Sequence, residues 1–146
     1  MDFQFVTTRL ACGATIPDPL GAQTLVAAGI THIINCQKEH CDLPFLKGHP
    51  VKYLRCSTAD DGNRKGDDWF GPGIKFALEA LAVPHTKVYV HCMAGINRGP
   101  SMAYAILRAQ GIDKRLARNL IVDARPEAEL LYRHDADVII KALGYE

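Results

Sequence analysis

His91-Cys92-Met93-Ala94-Gly95-Ile96-Asn97-Arg98 is the stretch that decides how this chain is read. It follows Lys87-Val88-Tyr89-Val90, a short apolar run of strand type, and precedes Gly99-Pro100-Ser101 and a helix-like stretch from Met102 to Ala109. A strand, a cysteine, five residues, an arginine and a helix together make an anion-binding nest. Backbone N–H groups of such a loop turn inward, and the helix N-terminus adds positive potential. A cysteine in that field is held as thiolate, the nucleophilic form. The arginine offers a planar fork that matches a phosphate in two hydrogen bonds. A lone cysteine at a strand end would read as a core residue, since free cysteine is among the most buried side chains. The whole constellation predicts attack by sulfur on a phosphoryl group.

The rest of the chain fits one compact domain of 146 residues, 48% of them hydrophobic. A net charge of +1 argues against a general polyanion binder. No apolar run approaches the roughly 20 residues needed to span a membrane, and Met1-Asp2-Phe3-Gln4 does not read as a signal peptide. Cys12, Cys36, Cys41, Cys56 and Cys92 are an odd number without framework spacing. That usage suits a reducing compartment, and a cytoplasmic location is expected.

Strands and helices alternate along the chain. Phe3 to Leu10 has strand character. Asp18-Pro19 reads as an N-cap with proline at the first helical position, opening a helix to about Ala28 that Gly29 stops. Thr31–Cys36 and Val51–Cys56 are further strands, and Trp69–Val83 is a helix with Phe70, Ile74, Phe76, Leu78 and Leu81 apolar. Lys87 to His91 is the strand that delivers Cys92. Helices are expected over Pro100–Gln110, Asp113–Ala124 and about Pro126–Leu143, Asp113 being the N-cap of the second. The order predicts an α/β fold, a central mixed sheet of about five strands flanked by helices, with the site at the carboxyl end of a strand.

The sequence His91-Cys92-x5-Arg98 resembles the signature of cysteine-dependent phosphatases of the protein-tyrosine-phosphatase superfamily, and the short chain is most similar to the dual-specificity branch. The resemblance covers most of the chain, from the opening strand through Gly29-Ile30-Thr31-His32-Ile33-Ile34-Asn35 to the helices after Arg98. It implies a single phosphatase catalytic domain over residues 1–146. It also implies a general acid, an aspartate on a loop about 30 residues before the cysteine, to protonate the departing oxygen. In relatives that acid follows an aromatic by seven residues. Tyr53 and Asp60 keep the offset, so Asp60 is favoured and Asp61 is the alternative. Asp60-Asp61-Gly62-Asn63 reads equally well as a solvated β-turn. Asp67 and Asp68 open the next helix and read as N-terminal capping charges.

The implied mechanism needs no metal and no cofactor. Cys92 attacks phosphorus to form a phosphocysteine, and a water activated by the same aspartate then releases phosphate. Arg98 and the loop amides of Met93, Ala94, Gly95, Ile96, Asn97 and Arg98 hold the charge of the equatorial oxygens. His91 is expected to hold its ring against the loop backbone in support.

The uncharged loop argues against inositol lipids, which relatives meet with lysines. A phosphorylated protein is the expected substrate, on phosphotyrosine, phosphoserine or phosphothreonine, for a monomer without membrane or nucleic-acid partners. Two alternatives stay open. Gly95-Ile96-Asn97-Arg98 also resembles the loop of RNA 5′-triphosphatases of the same superfamily, which would make a non-protein phosphate the substrate. Catalytically weak relatives serve as phosphopeptide-binding modules. Lys47, His49, Arg55, Arg64, Lys65 and Trp69 are candidates to line the approach, and Cys36 or Cys41 could pair with an oxidised Cys92. The residues after Arg125-Pro126 lack the water-positioning amide of relatives and receive no role.

One position departs from the family. The residue after the arginine is normally Ser or Thr, whose hydroxyl helps the cysteine leave, and here it is Gly99. Breakdown of the phosphoenzyme is therefore expected to be slow, and Gly99→Ser to accelerate it. Pre-steady-state burst kinetics on an aryl phosphate measure this, and an unchanged breakdown rate would dismiss the idea.

Overall fold

The computed structural model describes residues 1–146. The chain runs β1 (Phe3–Phe5), β2 (Leu10–Gly13), α1 (Pro19–Ala27), β3 (His32–Gln37), α2 (Leu43–Leu46), β4 (Lys52–Thr58), α3 (Asp67–Leu81), β5 (Val88–His91), α4 (Arg98–Ala109), α5 (Lys114–Ala124) and α6 (Arg133–Ala142). The five strands form one mixed sheet in the order β1-β2-β5-β3-β4. β1 is antiparallel to β2, and β2, β5, β3 and β4 are parallel.

β5 is the middle strand, and all four of its residues are buried, as expected of a parallel strand covered on both faces. The side-chain alternation sorts the sheet residues into two cores. Cys12, Ile34, Cys36, Val88, Val90 and Cys92 face the larger one, built with α3, α4, α5 and α6. Ala11, Ile33 and Tyr89 face a smaller one with Ala22 and Leu25 of α1 and Leu46 of α2. α4 is buried nearly all round, so it serves as the central post on which α3, α5 and α6 pack.

Several expected elements take a different form. The single strand expected over Phe3–Leu10 is a hairpin. The Thr7 hydroxyl accepts from the amides of Arg9 and Leu10 and reverses the chain there. α1 keeps its expected cap, with Asp18 accepting from Gly21 N at 2.8 Å, and α5 keeps Asp113, which accepts from Leu116 N at 2.9 Å. α3 opens two residues earlier than expected, with Asp67 and Asp68 in its first turn. Gly66 occupies the cap position, and the two aspartates stand behind it as the expected N-terminal charges.

The largest departure lies near the C-terminus. The helix expected from Pro126 starts at Arg133, and the preceding residues cross the end of β5 as irregular chain. Leu130 takes φ 51° there, a left-handed backbone that a helix would not tolerate. Proline after a charged cap looks like a helix start, but this segment's backbone is committed to the loop after Cys92.

Phe70 of α3 is fully buried between α4 and the sheet. Phe70→Ala is expected to cost about 3–5 kcal/mol of unfolding free energy. Urea denaturation followed by circular dichroism reads the change.

Candidate active site

β5 ends at His91 and α4 begins at Arg98, so residues Cys92 to Asn97 form a tight loop over the end of the sheet. Every carbonyl along this loop is bound outward. The Cys92 carbonyl faces His91 Nδ1 at 3.1 Å, and the Met93 carbonyl accepts from Thr15 N at 3.0 Å. The Ala94 and Gly95 carbonyls accept from Arg125 Nη2 and Nε at 3.2 and 3.1 Å. The Ile96 carbonyl accepts from Glu129 N and Leu130 N, and that of Asn97 from Ser101 N at 2.9 Å. The N–H groups from Met93 to Arg98 have no acceptor in the protein. Carbonyls pinned outside leave those donors converging inward, the geometry of an anion nest.

Gly95 makes the turn possible. Its φ is 70°, and a Cβ there would lie 2.5 Å from Arg125 Nη2 and 2.7 Å from the Gly13 carbonyl carbon. Both the left-handed backbone and the contact exclude a side chain.

A cavity of about 390 Å³ opens above the loop. Cys92, Met93, Ala94, Ile96, Asn97 and Arg98 line it from the loop, and Glu39, Asp60 and Glu129 from its walls. The structure thus brings Cys92, Arg98 and Asp60 to one cavity. Arg98 is buried and held as a bidentate pair by Glu39, Nη1 to Oε1 at 2.6 Å and Nη2 to Oε2 at 2.8 Å. Nη1 also donates to the Thr58 carbonyl at 2.9 Å. The hydrogen bonds from Arg98 hold the Glu39 carboxyl down to about 2, so the pair stays ionised at any physiological pH. Arg98 Nε–H is buried with no acceptor in the protein, and a phosphoryl oxygen in the cavity would supply one.

Asp60 and Asp61 are told apart by their partners. Asp61 closes the turn, accepting from Asn63 N at 3.0 Å, and pairs with Lys65 Nζ at 3.0 Å. Its carboxyl is lowered by the Lys65 bond. Asp60 faces the cavity instead, and Tyr132 Oη donates to its Oδ1 at 2.7 Å. The Gly62 amide donates to the same tyrosine oxygen at 3.1 Å, so Tyr132 ties the acid loop to the start of α6.

His91 is outside the cavity and fully buried. Its Nε2 meets Asp42 Oδ2 at 2.5 Å, and Tyr89 stacks on its ring. Both ring nitrogens thus meet oxygen partners, the Asp42 carboxylate on one side and the Cys92 carbonyl on the other, and the ring is fixed against the start of the loop. Cys12 and Cys36 lie on the same side of the sheet, and burial pushes the Cys12 thiol up to about 12 and Cys36 well above its usual range. Cys36 is thus a protonated core thiol.

Of the candidates to line the approach, Lys65 and Trp69 are buried: Lys65 lies over the Tyr132 ring, and Trp69 packs on Phe70. Gly99 packs tightly, and a Cβ there would lie 3.2 Å from Cys92 N and from His91 Cα and C. Gly99→Ser thus restores a hydroxyl and crowds the nucleophile's backbone at once, and Gly99→Ala isolates the crowding. Ser101 Oγ accepts from Tyr132 N at 3.1 Å, which holds it to the start of α6.

Glu39, Asp42, Arg125, Glu129 and Tyr132 are the residues that the sequence left unassigned. Arg125 is fully buried, and beyond the loop it reaches Asp2 and Gln4. The segment after Arg125-Pro126, given no role by sequence, braces the loop through Arg125 and the amides of Glu129 and Leu130. No group of three or more His, Cys, Asp or Glu is placed to hold a metal ion.

Comparisons with known proteins agree with this geometry. The family model described as dual specificity phosphatase, catalytic domain, matches residues 17–131. The chain belongs to this family of cysteine-dependent phosphatase domains. It is 28% identical over 87 residues to mouse dual specificity protein phosphatase 13B, a match covering 57% of this chain and 44% of that protein. The chain thus spans less than half the length of the curated relatives it matches first. The crystal structure of human DUSP28 is similar with a TM-score of 0.78 at 21% identity, covering 98% of this chain and 95% of that one. PTPMT1 in complex with PI(5)P is similar in fold with a TM-score of 0.78, also at 21% identity, over 97% and 99% of the two chains.

Tyr132 is a positioning residue for Asp60. Tyr132→Phe is expected to lower kcat for an aryl phosphate about tenfold, the scale of one hydrogen bond to a charged group, while KM changes little. The kcat–pH profile of the variant should also shift on the limb set by the acid. An unchanged profile would show that Tyr132 only packs.

Proposed function

We propose that this domain hydrolyses phosphomonoesters on proteins through a phosphocysteine intermediate. The observation that carries the reading is the loop itself: inward amides, Cys92 and an Arg98 Nε–H lacking an acceptor meet at one cavity with Asp60 on its wall. Cys92 sulfur attacks phosphorus, and the bond to the leaving oxygen breaks as Asp60 gives that oxygen its proton. The Asp60 carboxylate then takes a proton from water, whose oxygen displaces the sulfur and releases inorganic phosphate. The amides of Met93 to Arg98 and the Arg98 guanidinium stabilise the equatorial oxygens in both steps.

The walls favour a single phosphoryl group over a polyphosphate. Glu39, Asp60 and Glu129 are carboxylates, and Arg98 is the one basic residue lining the cavity. A second phosphate beside the first would face those carboxylates, an unfavourable like-charge contact. This weighs against RNA 5′-triphosphate and multiply phosphorylated inositol substrates. The odd, framework-free cysteine set supports a reducing compartment such as the cytoplasm.

Hydrolysis of p-nitrophenyl phosphate in EDTA is expected for the wild type and is expected to fall at least about a thousandfold in Cys92→Ser, as for loss of a catalytic nucleophile. Phosphate release from phosphotyrosine and phosphoserine peptides should exceed release from a phosphoinositide or a 5′-triphosphate RNA. An inactive wild type that still binds phosphopeptides would replace the enzyme reading with a binding module.

A further inference from the structure

The openings of α5 and α6 crowd basic side chains together, beside Asp113, the α5 cap, and Asp135 in the first turn of α6, whose Oδ2 accepts from Lys65 N at 3.0 Å. Lys114 and Arg115 begin α5, with Arg118 one turn on, and Arg133 and His134 begin α6. Lysine and arginine at a helix N-terminus oppose the peptide dipole, so Lys114, Arg115 and Arg133 are not there to support their helices. All five line one open groove of about 410 Å³. None forms an ion pair; the ion pairs of the protein involve other residues. Arg118 reaches only Asn119 Oδ1, at 3.4 Å.

The acids nearby are already engaged. Asp137 lines the groove, but it accepts from Tyr104 Oη at 2.6 Å and lies 3.4 Å from Arg108 Nε. Asp113 is occupied as the α5 cap. In a chain of 17 basic and 16 acidic residues, this segregation gives a local positive field that the net charge of +1 conceals. Basic side chains gathered at two helix openings without ion-pair partners mark a surface kept for another purpose.

The groove adjoins the catalytic cavity. Glu129 lines the cavity, Tyr132 holds Asp60, and Arg133 and His134 line the groove. Glu129 and Arg133 are at most about 14 Å apart along the chain. One extended polypeptide can therefore span both places.

We propose that this groove docks an acidic stretch of a phosphoprotein substrate, some residues away from the phosphorylated side chain. The inference rests on the phosphatase reading given above. Charge decides the spacing. Carboxylates next to the phosphoresidue would meet Glu39, Asp60 and Glu129, whereas carboxylates farther along meet Lys114, Arg115, Arg118 and Arg133. The same acidic rim interrupts the basic track that an RNA backbone would need between groove and cavity.

The test uses phosphotyrosine peptides with an aspartate cluster beside the phosphoresidue, with the cluster about five residues away, or with alanines in both places. For the wild type, kcat/KM for the distal cluster is expected to exceed the neutral peptide by about tenfold, through KM, and to fall with added salt. Arg115→Glu with Arg118→Glu, both on exposed side chains, should abolish that preference and leave p-nitrophenyl phosphate hydrolysis unchanged. Equal kcat/KM for all three peptides in the wild type overturns the proposal.

Fluorescence anisotropy of the unphosphorylated acidic peptide reads the groove without turnover. Binding that the double variant loses, in a protein that hydrolyses no aryl phosphate, supports the groove and overturns the phosphatase reading. Hydrolysis of p-nitrophenyl phosphate with no peptide binding does the reverse. Tighter binding of a 5′-triphosphate RNA, or of vesicles containing a phosphoinositide, lost in the same variant, overturns the acidic peptide as the occupant.

Discussion

The outward anchoring of the carbonyls from Cys92 to Asn97 is the constraint on which the rest of this structure depends. Six donors without protein acceptors gather positive potential at the cavity. The protein holds them in place by fastening the other side of each peptide plane. The fasteners come from Thr15 after β2, Arg125 at the end of α5, the amides of Glu129 and Leu130, and the first turn of α4. β5 must lie at the centre of the sheet for these to surround it, and α4 must be the buried post. Architecture and site are therefore one problem with one solution.

The loop was legible in the sequence because its meaning is local. Strand, cysteine, glycine, arginine and helix follow each other within one segment. The caps at Asp18 and Asp113 were legible for the same reason. Asp60 and Asp61 were separated only by three-dimensional partners: Asn63 and Lys65 take one, Tyr132 the other. Glu39, Asp42, Tyr132 and Arg125 stand far along the chain from the groups they hold, and nothing in their neighbours announces them. Residues 126–132 suggest a helix because proline and charge look like a helix start, while the competing demand, the carbonyls of a loop about 30 residues earlier, leaves no trace in the local pattern.

Glycine at position 99 belongs to packing as much as to chemistry. Read against relatives, it is a missing hydroxyl. In the fold, it lets the first turn of α4 approach the backbone of His91 and Cys92 at 3.2 Å from where a Cβ would stand. The buried His91–Asp42 pair lies directly behind that contact. The loop is thus supported by the buried His91–Asp42 pair and by a bare backbone contact beside it. A side chain added at this point acts on geometry before it acts on the leaving sulfur.

The clamp from Arg125 to Asp2 and Gln4 ties the loop to β1, the edge strand of the sheet and the first element of the chain. Arg125 and Asp2 are 123 residues apart, among the most distant partners in the molecule. A contact of such separation closes a loop of nearly the whole domain, at an entropic cost that rises only slowly with its length. The anion nest thus depends on a link between the first strand and the end of α5. Edge strands also open most readily in the folded state. Fraying at β1 would release Arg125, and with it the carbonyls of Ala94 and Gly95, without disturbing the centre of the sheet. β1, remote from Cys92 in sequence, is in mechanical terms a latch on the nucleophile's loop.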